Sequence, residues 1–148
     1  MLGKTFVAAA IAALLVFAPG ETRADQVGDA VAALGASVTD VRLVGEWHTD
    51  GRDGVYRVLF VGDPETGGTS RLFVQWLTTD GNTPVVERSI EIPELGQLGI
   101  VVYDFAYEVD DEGLALFIES FDPAKELELG YELYLKAPDD YIFQPISN

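Results

Sequence analysis

The sequence contains no cysteine, few cationic residues and only one long apolar run. Without cysteine, the chain has no disulfide, thiolate zinc site, iron–sulfur cluster or cysteine nucleophile. Its 148 residues include 9 Lys plus Arg against 25 Asp plus Glu, a formal net charge of −16. Such a charge excludes nucleic-acid binding by phosphate neutralisation and disfavours attachment to an anionic membrane surface. The apolar content of 48% argues against disorder, and the length fits one ordinary domain.

The long apolar run lies near the N-terminus and predicts a secretory signal peptide. Apolar residues 6–17 follow a basic start and precede the small-residue pattern of residues 22–24. A helix over this run would span about 18 Å, short of the roughly 30 Å hydrocarbon core, which disfavours a permanent anchor. We expect cleavage after Ala24, with Ala18 as the weaker site. Residues 25–148 would then form a single domain that is not embedded in a membrane.

The lack of cysteine also indicates a compartment. A mature chain of this length can bury roughly two-thirds of its unfolded surface, so it needs no disulfide for stability. Small secreted animal domains more often carry disulfides. We therefore expect the periplasm of a Gram-negative bacterium, with secretion to the medium as the alternative.

The rest of the chain predicts an all-β domain. Eight segments are rich in β-branched and aromatic residues and are separated by short turns. These segments are residues 41–47, 55–61, 71–78, 85–92, 100–109, 114–121, 128–135 and 141–144. Asp80-Gly81-Asn82 is a hairpin signal between the third and fourth, and a short helix is expected over Gln26 to Leu34, ending at Gly35. The fold class is a single antiparallel meander, either a sandwich or an up-and-down barrel.

Residues for catalysis are scarce. The single histidine, His48, lies between Trp47 and an Asp50-Gly51 turn, and no neighbouring motif supplies a nucleophile. The sequence has no nucleotide-binding, zinc-protease or serine-hydrolase motif. We expect His48 to be a strand-end residue facing water. A small hydrolase that uses a carboxylate pair or His48 is the alternative.

The acidic residues are concentrated in the second half of the chain. Residues 25–86 hold 9 acids and 4 bases, whereas residues 87–148 hold 15 acids and 3 bases. In the hairpin that turns at Asp111-Glu112, the expected register places Asp104 opposite Glu119, whereas a slip of two residues would keep the same apolar face and place Glu119 opposite Ala106. Because opposed carboxylates repel each other, this pair needs a cation, a neighbouring Arg or Lys, or a raised pKa.

This half therefore provides the candidate binding surface. The predicted acidic face consists of Asp104, Glu108, Glu119 and Asp122, and a purely solvated face is the competing interpretation. On the opposite, apolar side of this hairpin, Val109 is expected to face Leu114 and Phe105 to face Ile118. The acidic face would attract a basic exported protein or peptide.

Calcium is the one cofactor that the composition suggests, because calcium takes oxygen ligands. The weak candidates are Asp50 and Asp53 in one turn and Asp110 and Asp111 in another. Neither turn matches the twelve-residue EF-hand loop. No other cofactor is expected, and Asp-Gly turns are also ordinary hairpin chemistry.

Two aromatic residues are candidates for a surface that binds by stacking. Trp47 ends its strand next to a turn, and Tyr134 lies on the outward side of an otherwise regular strand. Trp76 shares a face with Leu72 and Val74 and is expected in the core. Together these patterns predict a small exported, non-catalytic binding protein, such as an inhibitor or an accessory subunit. A calcium-dependent binding module is the second alternative beside the hydrolase.

Overall fold

The computed structural model describes residues 23–78 and 83–146. The expected signal peptide, up to residue 22, and the predicted hairpin Asp80-Gly81-Asn82 lie outside the described residues. The chain divides into two compact units, residues 1–34 and residues 35–148.

The described part of the first unit is a short helix, α1 (Arg23–Ala32). It begins and ends earlier than the helix expected over Gln26 to Leu34. The chain leaves the helix in a turn, in which the Leu34 amide donates to the Val31 carbonyl at 3.1 Å. Among the described residues, no helix has both the length and the apolar character needed to cross a membrane.

The second unit contains the eight predicted strands, and the all-β expectation is confirmed. The strands are β1 (Val38–Thr49), β2 (Arg52–Asp63), β3 (Thr69–Thr78), β4 (Val85–Ile92), β5 (Val101–Asp110), β6 (Gly113–Asp122), β7 (Leu127–Ala137) and β8 (Asp140–Pro145). They form two antiparallel four-stranded meanders, a first sheet of β1–β4 and a second sheet of β5–β8. Among the described strands no ladder joins the two sheets, which corresponds to the sandwich alternative and not to a closed barrel.

A short helix that the sequence interpretation missed connects the two sheets. Helix α2 (Pro93–Gln97) follows β4 directly, and its Leu95 is buried. Pro93 directly follows the predicted strand segment of residues 85–92. Proline is also favoured in the first turn of a helix, because the amide that it lacks has no partner there.

Both sheets contribute to one hydrophobic core. Alternate residues of each strand face inward, as the period of two requires. Phe60 of the first sheet packs against Phe105 of the second, with ring centroids 5.3 Å apart. Leu116 and Leu133 of the second sheet are fully buried in the same core. Trp76 is 8% exposed, which confirms its expected place in the core.

Polar contacts also hold β5 against the first sheet. The Ser70 amide donates to the Ile100 carbonyl at 2.7 Å, and the Ser70 hydroxyl accepts from the Val102 amide at 2.8 Å. Further along β5, the Arg42 guanidinium lies 4.3 Å from the centre of the Phe105 ring and donates to the Phe105 carbonyl. The second sheet is thus tied to the first along one strand.

A β-bulge in β1 determines where Trp47 lies. Leu43 pairs with Arg57 and Glu46 pairs with Val55, so β1 has one extra residue here, and Gly45 has a φ of 74°. The bulge reverses the inward–outward phase of the strand. As a result, Leu43 is 62% exposed, whereas Trp47 is only 5% exposed. The expectation that Trp47 lies on an open surface was wrong for this reason.

The β5–β6 hairpin has the predicted register. Val109 pairs with Leu114, Phe105 with Ile118, and Asp104 with Glu119. On the inner side of this hairpin, the side chains of Phe105, Leu114 and Ile118 are buried. The acidic pair therefore lies on the outer side of the second sheet.

Candidate functional site

Four hairpins of the second unit line two adjoining clefts. The hairpins are β1–β2, β3–β4, β5–β6 and β7–β8. The larger cleft has a volume of about 250 Å³ and the smaller of about 140 Å³. The two clefts share four lining residues, which are Trp47, Thr49, Tyr56 and Lys136. The larger is called the aromatic cleft and the smaller the acidic cleft.

Three aromatic side chains from the first sheet line the aromatic cleft. Trp47, Tyr56 and Trp76 are each less than 10% exposed, and the Tyr56 and Trp76 rings meet edge to face, with centroids 5.7 Å apart. Burial raises the pKa of Tyr56. The chain has only two tryptophans, and both lie in this wall.

The Trp47 indole packs closely against a glycine. It pairs with Gly54 across the β1–β2 ladder, and a Cβ at Gly54 would lie 2.7 Å from Trp47 Cε2. Its Nε1 is buried, and it is the one buried polar side-chain atom in the described part of the chain without a hydrogen-bond partner. Leaving such a donor unpaired costs about 1–3 kcal/mol.

Cationic side chains complete the aromatic cleft, and the sequence interpretation missed them. They are Arg52, Arg88 and Lys136, and among the described residues the one carboxylate beside them is Glu87, which forms an ion pair with Arg52. In the part of the chain that the structure describes, neither Arg88 nor Lys136 forms an ion pair. The described part of the cleft wall therefore carries net positive charge.

The sequence did contain a signal for Arg88. It pairs with Trp76 across the β3–β4 ladder and shares its side of β4 with Ile90 and Ile92, which pack into the core. An arginine in the apolar phase of a strand is costly unless its head group reaches water or a ligand. The alternation of β4 could therefore have marked Arg88 as a site residue.

The acidic cleft brings together residues of two turns. Its charged lining consists of Glu46, His48, Asp110, Asp111, Glu112 and Lys136. His48 Nδ1 lies 2.7 Å from Asp53 Oδ1, and this hydrogen bond is the main reason why the pKa of His48 is raised above 6.5.

His48 faces water as expected, with 66% of its side chain exposed. The Asp53 contact would orient the ring as a catalytic carboxylate orients a general base. No serine or threonine hydroxyl among the described residues hydrogen-bonds to His48. Hydrolysis through His48 therefore stays a prediction.

Two of the four calcium candidates, Asp53 and Asp110, make local contacts. Asp110 Oδ1 accepts from the amides of Glu112 and Gly113 at 2.8 and 3.0 Å, and Asp53 contacts His48. Asp50 and Asp111 lie in the turns themselves. In residues 23–78 and 83–146, no group of three or more histidine or acidic side chains is arranged to hold a metal ion. Calcium binding stays a prediction.

Three residues of the predicted acidic face are exposed on the outer side of the second sheet. These are Asp104, Glu108 and Glu119. Asp104 accepts from Arg42 Nη2 at 2.9 Å, and this bond holds the pKa of Asp104 below 3.8. Three ways to accommodate the opposed carboxylates follow from the sequence: a cation, a neighbouring Arg or Lys, or a raised pKa. The structure shows the second, because Arg42 of the first sheet pairs with Asp104.

Asp122 does not belong to that face. It is 3% exposed, and its carboxylate accepts from the amides of Ala124 and Lys125 and pairs with Lys125 Nζ at 2.8 Å. The contact with Lys125 lowers its pKa. Asp122 was predicted as a surface residue because its position at the end of a strand carries no sign that it caps the following turn.

Tyr134 is half-buried on the outer side of β7. Its hydroxyl donates to Glu112 Oε2 at 3.0 Å, and Lys136 Nζ lies 5.5 Å from the centre of its ring. Partial burial, with Glu112 next to it, raises the pKa of Tyr134. These contacts cover part of the ring that was predicted to be free for stacking.

No protein-family model matches the chain, and no characterised protein is significantly similar to it in sequence.

Proposed function

We propose that the protein is a small, non-catalytic binding protein whose acidic face recognises a basic partner protein. In the folded protein the acidic face consists of the predicted residues Asp104, Glu108 and Glu119 together with Glu128, which replaces the buried Asp122, and all four are exposed on the outer side of the second sheet. The observation that carries the proposal is the contrast in charge between two sheets of the same architecture. Opposed patches of charge accelerate association and select the partner.

Exposed apolar side chains lie among these carboxylates. Phe121 pairs with Val101 on one side and with Glu128 on the other, and both apolar residues are 37% exposed. Tyr103 is 54% exposed, and partial burial together with nearby Glu128 and Glu119 raises its pKa. Exposed aromatic residues within a polar rim are typical of protein interfaces. An inhibitor or accessory subunit of an exported partner fits this surface.

Export to the periplasm of a Gram-negative bacterium belongs to the same proposal, with secretion to the medium as the alternative. It rests on the apolar run of residues 6–17 and the small residues before Asp25. The intact mass of the protein from the exported fraction should correspond to a chain that begins at Asp25. A mass that retains residues 1–24 would contradict cleavage at Ala24.

The binding proposal is tested by capture from a periplasmic extract. We expect the protein to retain a basic protein, with retention that decreases as salt is added. The double variant Glu108→Gln and Glu119→Gln should weaken binding roughly three- to tenfold, because each rim charge contributes only a fraction of a kcal/mol to about 1 kcal/mol.

The matched control removes two carboxylates elsewhere. Glu46 and Glu65 belong to the first half of the chain and are exposed. Their double change to glutamine alters the net charge equally and should leave binding unchanged. Equal effects of the two double variants, or retention that ignores salt, would show that the acidic face is not the site. The geometry of the described residues favours neither calcium-dependent binding nor hydrolysis over this proposal.

A further inference from the structure

We propose that the aromatic cleft is a second binding site, for a small organic anion with a flat apolar ring. The simplest member of this class is an aromatic carboxylate. The site shares no residue with the acidic face and requires ligand charge of the opposite sign. It is therefore independent of the function proposed above.

The shape of the cleft indicates the size of the ligand. Its volume of about 250 Å³ lies just below the range of roughly 300–1,000 Å³ that holds drug-sized molecules. Trp47, Tyr56 and Trp76 present apolar ring surfaces to it. A single ring with a short arm fits such a volume, and aromatic walls favour a flat ring through stacked or edge-to-face contacts.

The charge of the cleft indicates the sign of the ligand. The chain has 9 Lys and Arg in total, and three of them line this one cleft. Glu87 balances Arg52, which leaves the charges of Arg88 and Lys136. Arginine and lysine beside a partly enclosed apolar wall bind carboxylates through charge-assisted hydrogen bonds. This local excess is notable because the chain as a whole has a net charge of −16.

The neighbouring acidic cleft would orient the ligand. Asp110, Asp111 and Glu112 lie beyond the shared residues Trp47 and Lys136. Their carboxylates repel an anionic group over a distance comparable to the screening length of about 8 Å in physiological salt. The anionic end would therefore lie on the side of the cleft that holds Arg88, away from these carboxylates.

Tryptophan fluorescence provides a direct test, because both tryptophans of the chain line the cleft. Phenylacetate is the anionic ligand, and phenylacetamide and phenethylamine are its neutral and cationic counterparts of similar shape. Excitation near 295 nm avoids absorption by these single-ring compounds. We expect phenylacetate to change the emission with saturation, and the amide and the amine to bind at least about tenfold more weakly.

Charge-removing variants locate the site. Arg88→Gln should weaken phenylacetate binding about tenfold, the usual effect of losing a hydrogen bond to a charged group, and Lys136→Gln should weaken it less, because Lys136 also borders the acidic cleft. Arg57→Gln is the matched control, because Arg57 bonds to Gln75 on the outer side of the same sheet. Circular dichroism confirms that each variant is folded, and isothermal calorimetry measures binding independently of fluorescence.

Three results would overturn the proposal. They are the absence of saturable binding of phenylacetate by both methods up to about 10 mM, equal binding of phenylacetate and phenylacetamide, and unchanged binding in both Arg88→Gln and Lys136→Gln. None of these results affects the acidic face, which is tested with a protein partner and different variants.

Discussion

The two sheets have the same topology but differ in the balance of basic and acidic residues that their strands carry. The strands of the first sheet carry five arginines and six acids, which are Arg42, Arg52, Arg57, Arg71, Arg88, Asp40, Glu46, Asp53, Asp63, Glu87 and Glu91. The strands of the second sheet carry one lysine and eight acids, which are Lys136, Asp104, Glu108, Asp110, Glu119, Asp122, Glu128, Glu132 and Asp140. The first sheet is nearly balanced in charge and the second is strongly negative.

The difference shows that the outer charges do not determine the fold. In the first sheet, Arg71 forms two 2.8 Å hydrogen bonds to Glu91, and Arg52 pairs with Glu87. In the second sheet, Asp104 and Glu119 face each other, and Asp104 depends on Arg42 of the first sheet. Both sheets nevertheless bury the same kind of apolar inner face, and this burial is the main stabilising contribution. The outer charge of the second sheet is thus free to serve recognition.

The largest effect is expected where the two sheets meet, at Gly45. Gly45→Ala should reduce the free energy of unfolding by about 2–4 kcal/mol, because of the strain of a positive φ and the clash of overpacking. A Cβ there would lie 2.6 Å from Val109 Cγ2 on the second sheet. Chemical denaturation measures the change.

Gly51→Ala is the control for Gly45→Ala. Gly51 also has a positive φ, of 72°, but nothing lies within 4 Å of its Cβ position. Gly51→Ala should reduce the free energy of unfolding by only about 1 kcal/mol, because it introduces backbone strain but no clash. Equal losses in the two variants would show that contact between the sheets at Gly45 contributes nothing.

An intermediate effect is expected at the arginine that links the sheets. Arg42→Met keeps an apolar stem over Phe105 but removes the contacts with Asp40 and Asp104. Because the guanidinium is partly exposed and screened, the loss should be about 1 kcal/mol at neutral pH. Arg57→Met, which removes no ion pair, should cost less.

The pH dependence of the Arg42 variant has a definite sign. The folded pKa of Asp104 is lowered by Arg42, so this contribution to stability is present above the unfolded pKa near 3.8. It is lost as the pH falls through the lower folded pKa. The difference between wild type and Arg42→Met should therefore shrink in acid, and a difference that is constant between about pH 2 and pH 7 would contradict this link.

The smallest effects should have opposite signs in the two sheets. Glu119→Gln removes a like-charge pair with Asp104 and should stabilise the protein by a few tenths of a kcal/mol, more at low salt. Glu91→Gln removes the carboxylate that Arg71 holds and should destabilise it by about 0.5 kcal/mol.

Thermal melts of the two glutamine variants, at low and at high salt, measure this contrast. The folded pKa of Glu91 is lowered, mainly by Arg71, so the loss in Glu91→Gln is expected above pH 4.5 and disappears in acid. Destabilisation by both variants would show that the second sheet is balanced by charges in the same way as the first.

Much of the fold followed from local patterns. Alternation and turn residues predicted all eight strands and the register of the β5–β6 hairpin, because a shift by one residue would turn apolar Phe105 and Ile118 outward. Helix α2 was missed because five residues carry too little periodicity. The predicted exposure of Trp47 was wrong because a single bulge at Gly45 reverses the phase of β1. The sequence around an isolated glycine does not show whether its φ is positive.

The candidate sites were less predictable than the fold. Asp104, Glu108 and Glu119 were assigned to the outer face of their hairpin from alternation alone, whereas the capping role of Asp122 depends on the path of the next turn. The aromatic cleft was not predicted, because Trp47, Arg88 and Lys136 come from three separate strands. Only packing of the sheets brings them together.

The sequence by itself determined the all-β class, the strand order along the chain and the concentration of acidic residues in its second half. These properties follow from the period of two along each strand and from composition, which are local. The tertiary structure decided that the strands form two sheets, that Arg42 of one sheet neutralises Asp104 of the other, and that two tryptophans and three cations line one cleft. Such contacts join residues far apart in the chain, and their geometry depends on how the two inner faces pack.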